Sequence, residues 1–229
     1  MHMMVHGDDF VIIAKQAGRQ KTLQLLSDNF ELKHSTAGLV DGMPKELRVL
    51  GRIAVVHDWG WTLEADPCLI ESAVVKMGME DAKGAVTPGH KLEVAGSGAE
   101  VKARRQDPRP VYDLDAAWPG FDTSPKLEGE ALKRYQSVSA LLNFTAQDRP
   151  ELLYAIKELM RKMSCPTKAD ESGVKRAIRF LKTAPRLVAK YPWQKLAGHI
   201  EVYADSDHAG CPLTRRSTSG GCILWGANL

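Results

Sequence analysis

Residues 5–14 read VHGDDFVIIA, placing two adjacent carboxylates, Asp8 and Asp9, between Gly7 and an apolar run over residues 10–14. A strand interior does not welcome Gly-Asp-Asp, whereas MHMMV before it and FVIIA after it both suit strands. The stretch therefore predicts strand, tight turn, strand, with the acidic pair at the hairpin tip. Two readings of the pair stay open at this level. Gly-Asp-Asp between apolar runs is ordinary turn chemistry. Carboxylates clustered at a hairpin tip also suit Mg2+, a hard cation that prefers oxygen ligands.

The rest of the chain bounds what such a hairpin belongs to. With 229 residues, 44% hydrophobic and 26% charged, the composition is that of a globular chain of one large or two modest domains, which excludes collagen-like, coiled-coil and fully disordered classes. A formal net charge of +3 permits a polyanionic partner without demanding one. Cys68, Cys165, Cys211 and Cys222 form no C-x-x-C pair, so neither a disulfide framework nor a close-spaced zinc knuckle is indicated. No apolar run approaches the roughly 20 residues that span a bilayer, and the first residues are too polar for a signal peptide. The expectation is an intracellular chain, cytoplasmic or nuclear, not secreted and without a membrane partner.

Periodicity then lays out the elements. Leu23, Leu26 and Phe30 fall at helical spacing over residues 19–30, predicting an amphipathic helix against the hairpin. LRVLGRIAVV (47–56) has strand character, and HDWGWTLEA (57–65) returns it as a second antiparallel pair. Asp66 and Pro67 write a helix start, an N-cap acceptor followed by a proline whose missing N–H costs nothing, with Gly78 as the stop. Residues 84–126 are crowded with Gly, Pro and charge, and read as a partly disordered connection. Beyond it, Leu132, Tyr135, Val138 and Leu142 share one helical face, and Leu152, Ile156, Leu159 and Met163 share another. Thr167 and Asp170 form a capping box opening a third helix, with Val174, Ile178 and Leu181 as its stripe. HIEVYADSD (199–207) and GGCILWG (220–226) return to β. A two-stranded ribbon is marginal alone, so this last element reads as a domain cut short.

Charge is uneven. Over residues 157–190, ten Lys and Arg stand against three acids, and Lys175, Arg176, Arg179 and Lys182 crowd one helix. Such a concentration is what a nucleic-acid groove requires, and solvated helix faces look the same. In TRRSTSGG (214–221), Arg215, Arg216 and Ser217 offer guanidinium forks and hydroxyls suited to phosphate oxygens; a polar hairpin loop is the plainer reading. Asp207 reads as a loop acid rather than an outer metal ligand, and a zinc site from His208, Cys211 and Cys222 lacks a fourth ligand.

Five blocks, in order, carry a family resemblance. VHGDDFVIIA resembles the Tyr-Val-Asp-Asp box of reverse transcriptases, with His6 and Gly7 in place of Tyr and Val. Residues 47–89 look like the copia-type Phe-Leu-Gly stretch, strand pair and helix ending in Gly-Met, then Thr-Pro. Residues 135–167 are similar to that family's YRSLVGSLLYL…RPDI segment, and GVKRAIRFLKTA (173–184) to its AAKRILRYLKGT. YADSDHAGCPLTRRSTSGG (203–221) is similar to SDADWAGD…RRSTSG, the opening of its RNase H domain.

The chain thus resembles the C-terminal part of the reverse transcriptase of a copia-type retrotransposon Pol polyprotein, plus the start of RNase H. The resemblance implies an α+β fold: a partial palm over 1–83, the connection over 84–126, a helical thumb or connection region over 127–195, and a truncated RNase H-like β-hairpin over 196–229. It implies that Asp8, Asp9 and Asp205 are catalytic metal ligands of two Mg2+ sites that are incomplete here, since their partner carboxylates would lie outside the chain. It also implies RNA or DNA template-primer, RNA–DNA hybrid and the rest of the polyprotein as partners, the basic residues named above lying on nucleic acid. The implied activity is metal-dependent nucleotidyl transfer with hybrid hydrolysis in the intact polyprotein. A noncatalytic nucleic-acid-binding remnant, or the product of a decayed gene, is the alternative.

Overall fold

The computed structural model describes residues 1–89, 124–208 and 216–228. Most of the Gly/Pro-rich connection, together with Cys211 and Arg215, lies outside the described residues. The chain divides into two compact units, Met1–Ala37 and Gly38–Leu229.

In the first unit, β1 (His2–His6) and β2 (Asp9–Ile13) pair antiparallel, with Val5 opposite Phe10 and His6 opposite Asp9. A two-residue loop of Gly7 and Asp8 joins them. Gly7 sits at φ 62°, a left-handed conformation that only glycine enters cheaply and that the tight turns of twisted hairpins require. The helix α1 (Gln16–Ser27) begins three residues before the periodicity suggested. Phe30 lies past its end and meets Phe10 with ring centroids 6.3 Å apart. No side chain of α1 is buried.

The second unit holds a four-stranded antiparallel sheet in the order β3 (Glu46–Val49), β4 (Arg52–His57), β5 (Gly60–Ala65), β6 (Ala189–Pro192). LRVLGRIAVV is therefore two strands rather than one. Leu50 at φ 49° and Gly51 at φ 71° both turn left-handed, and the chain folds back so that Val49 pairs with Arg52. Leucine is an uncommon resident of that region, so Gly51 is the turn's one ordinary sequence mark.

The core lies among the helices. α2 (Pro67–Met77) starts at Asp66, whose carboxylate accepts from the Cys68 amide at 3.0 Å, and ends at Gly78 with φ 59°. The same amide bond holds the Asp66 carboxyl below its ordinary range. α3 (Gly129–Ala146) buries Tyr135, Val138 and Leu142. A 3-10 turn (Pro150–Leu152) leads into α4 (Leu153–Met160), which ends three residues before Met163, the last residue of the expected stripe. α5 (Lys168–Thr183) opens on the expected capping box, the Thr167 amide donating to Asp170 Oδ2 at 2.8 Å. Ile70 and Ala73 of α2 join Leu142, Ile156, Val174, Ile178 and Leu181 in one cluster. Each leucine, isoleucine or valine among them, fully buried, contributes about 2 kcal/mol of transfer free energy.

This packing departs from the domain boundary read at 83/84. α2, before the boundary, packs into the core of α3 and α5 after it, and β6 adds to the edge of β5, Leu63 facing Ala189 and Gly60 facing Pro192. The two flanks of the connection fold together because neither covers its apolar surface alone. Arg149, 2% exposed, reinforces the assembly: its guanidinium donates to the carbonyls of Ala184 and Pro185, at 2.7 and 3.3 Å, and pairs with Glu151 at 2.6 Å.

The chain closes with the hairpin β7 (Glu201–Ser206) and β8 (Ser219–Leu224), whose residues are exposed apart from half-buried Leu224. Among the described residues, no helix is long and apolar enough to cross a membrane.

Candidate functional site

The acidic pair occupies the tip of the first hairpin. Asp8 is the second loop residue and Asp9 opens β2 opposite His6; both are exposed. The loop is set by Gly7, and the two carboxylates are adjacent in sequence at the tip. A two-metal phosphoryl-transfer centre needs further carboxylates converging on the same point, with the ions a few Å apart. Among the described residues no group of three His, Cys, Asp or Glu side chains comes together. The donor set among the described residues therefore does not fit a closed Mg2+ centre.

Asp205 lies in β7 opposite Gly220, and its Oδ1 accepts from the Ser206 amide at 2.8 Å. Register puts Glu201, Tyr203 and Asp205 on one face of the ribbon with Cys222 and Gly220, and Val202 and Ala204 on the other with Ile223 and Gly221. Glycine across from Asp205 leaves that carboxylate without a side chain beside it on the neighbouring strand. Tyr203 donates to Glu201 Oε2 at 2.8 Å, a bond that raises the phenol's pKa. Asp207 accepts from the Thr218 amide.

The basic residues of α5 have specific partners. Lys175 pairs with Glu171 one turn earlier, at 3.4 Å. Arg176 donates to the Gly89 carbonyl at 2.9 Å and to Thr87 Oγ1 at 2.7 Å. Arg179 donates to the carbonyls of Lys83 and Gly84, at 2.6 and 3.2 Å. The Lys182 ammonium gathers the carbonyls of Met79 and Ala82, at 2.9 and 2.8 Å, and that of Glu80. Three of the four cations thus hold residues 79–89 against the helix. Their partners are neutral oxygens, so their charge is not cancelled by those bonds.

Arg216 and Ser217 are exposed just before β8, and Arg215 lies outside the described residues. Thr218 Oγ1 accepts from Lys157 of α4 at 3.1 Å, which draws this loop toward the helix. The Lys157 ammonium also sits 4.5 Å from the ring centroid of Tyr154, which is 60% exposed, and pairs with Glu158 at 2.8 Å. Sequence reasoning passed over Tyr154; an aromatic three residues before a lysine on a helix is the signal that marks it.

No family model matches the chain, and no solved structure matches it. The chain is similar to an uncharacterized mitochondrial protein of Arabidopsis thaliana, 33% identical over 95 residues. That stretch is 42% of this chain and 39% of the plant protein, so the chain spans well under half of the relative's length.

Proposed function

We propose that the chain is part of a copia-type retroelement polyprotein, from its reverse transcriptase and RNase H region, and that it contributes contacts to template-primer and RNA–DNA hybrid. The observation that carries this reading is the Gly7-Asp8-Asp9 tip, where a two-residue hairpin loop presents adjacent carboxylates. The ordered blocks from that hairpin through residues 203–221 support it. The similarity to the plant mitochondrial protein adds a weak link of the same kind.

Asp8, Asp9 and Asp205 are the catalytic positions in this reading, and Mg2+-dependent nucleotidyl transfer and hybrid hydrolysis belong to the intact polyprotein. In the chain itself Asp8 and Asp9 remain an acidic tip and Asp205 an exposed strand carboxylate, while Arg216, Ser217 and the cations of α5 supply phosphate contacts. The reading of a noncatalytic nucleic-acid-binding remnant is favoured for the isolated chain by one observation, the lack of a third converging carboxylate among the described residues.

The test combines filter retention of a labelled RNA–DNA hybrid with primer extension in Mg2+, using the full chain. The expected outcome is retention at low salt with no nucleotide incorporated. Incorporation that disappears in Asp8→Asn would show a complete centre and overturn the remnant reading. Absence of any retention at low salt would overturn the nucleic-acid reading.

A further inference from the structure

We propose that residues 79–89 form a removable strap over the cationic face of α5, their carbonyl oxygens occupying the Arg176, Arg179 and Lys182 donors that nucleic-acid phosphates would otherwise take. The inference rests on the nucleic-acid reading above and adds regulation to it.

Three features of the strap carry the argument. First, it is held by charge-bearing donors rather than by burial. Beyond Met79, which sits in the core, only Ala85 is buried within residues 80–89 and Ala82 packs half-buried against the core, while Val86 is 86% exposed. An alanine offers little apolar surface to retain a segment of this length. Second, each cation faces neutral oxygens: Arg176 holds Gly89 and Thr87, Arg179 holds Lys83 and Gly84, and Lys182 holds Met79, Glu80 and Ala82. A phosphate oxygen brings full negative charge to the same donors, adding an ion-pair attraction that a neutral carbonyl lacks. The guanidinium fork matches phosphate bidentately, which single carbonyls do not. Third, the strap touches the helix backbone at one place, the Ala85 amide donating to the Arg179 carbonyl at 3.0 Å. It can therefore leave without unwinding α5, whose capping box and core stripe lie elsewhere on the helix.

Competition of this kind makes strap closure and phosphate binding mutually exclusive, so opening the strap tightens binding by the fraction of molecules it frees. Two neutral substitutions open it while leaving every cation in place. In Gly84→Val, the added Cβ alone would overlap Thr183 Oγ1, so that hydroxyl turns away or the segment lifts, and the valine methyls add further bulk against the helix. In Ala85→Pro, the amide that bonds Arg179 is removed. Fluorescence anisotropy with labelled oligodeoxythymidine at low salt, on the full chain, is expected to give dissociation constants about threefold to tenfold lower for both variants. Equal or weaker binding by variants of unchanged helicity would overturn the proposal. Hydrogen exchange on the unsubstituted chain supplies an arm independent of how the variants fold: protection of the Ala85 amide is expected to fall as the oligonucleotide saturates. Salt-sensitive binding with unchanged protection at Ala85 would overturn the strap and leave the nucleic-acid reading standing. No binding by any of the three proteins would overturn both.

Discussion

Tyr135 is the residue on which three helices meet. It is 1% exposed in α3, and its hydroxyl donates at 2.8 Å to the Leu159 carbonyl near the end of α4, an oxygen that also accepts from the Lys162 amide at 3.0 Å. Burial pushes the phenol's pKa well above its ordinary value, and the Asp170 charge adds to the effect. Because the folded state holds this proton more tightly than the unfolded state, the contribution is complete below the unfolded pKa of about 10 and is lost as pH rises beyond it. Tyr135→Phe should lower stability by about 1 kcal/mol at neutral pH and flatten the alkaline loss. Urea midpoints of both proteins at neutral and alkaline pH check this; a variant as stable as the parent, with the same alkaline decline, would remove Tyr135 from the account. At this scale, local signals were legible. Asp66 with Pro67, Gly78, and Thr167 with Asp170 do in the structure what their spacing implied, because a cap involves only residues within one turn. The partners of Arg176, Arg179 and Lys182 were not legible, since a row of cations reads identically whether it faces phosphate or the carbonyls of a segment some ninety to a hundred residues earlier.

Among elements, β6 is the one the sequence hid. Four residues are too few to show alternation, and its pairing with β5 joins segments on opposite sides of the connection. Gly60 makes the approach possible: a Cβ there would overlap the Tyr191 carbonyl oxygen and crowd Pro192. Trp61 and Trp193 then meet edge to face at 6.1 Å, and the Trp193 amide donates to the Trp59 carbonyl at 2.9 Å. Gly60→Ala should release β6 from the sheet and expose Arg186 and Lys190 to trypsin. Limited proteolysis followed by mass spectrometry checks it; cleavage there at the parent rate would mean that β6 is held by something other than this close backbone approach. The β3–β4 turn was missed for a different reason: Gly51 alone marks it, and Leu50 adopts φ 49° without belonging to the residue types that pair with Gly in such turns.

For the whole molecule, stability is distributed unevenly. The first unit contains no buried residue, while the helical cluster of the second buries fifteen hydrophobic side chains. Local opening should follow that division: amides of β1, β2 and α1 should exchange within a small free energy of opening, and those of α3 and α5 only with the global transition. Hydrogen exchange by mass spectrometry reads this directly, and equal protection across the two units would refute it. The mixture of helices and small sheets was legible from periodicity because helical stripes and strand alternation are local. The boundary at 83/84 was not, because composition marks a change of texture and says nothing about which flanks share a core. The central claim, that this chain meets nucleic acid through phosphate contacts, is tested most directly by the salt dependence of its affinity for an RNA–DNA hybrid. Three cations of α5 engaging phosphate should make log K fall linearly with log salt, with a slope of about −2 to −3. A flat line, with affinity indifferent to salt, would contradict it.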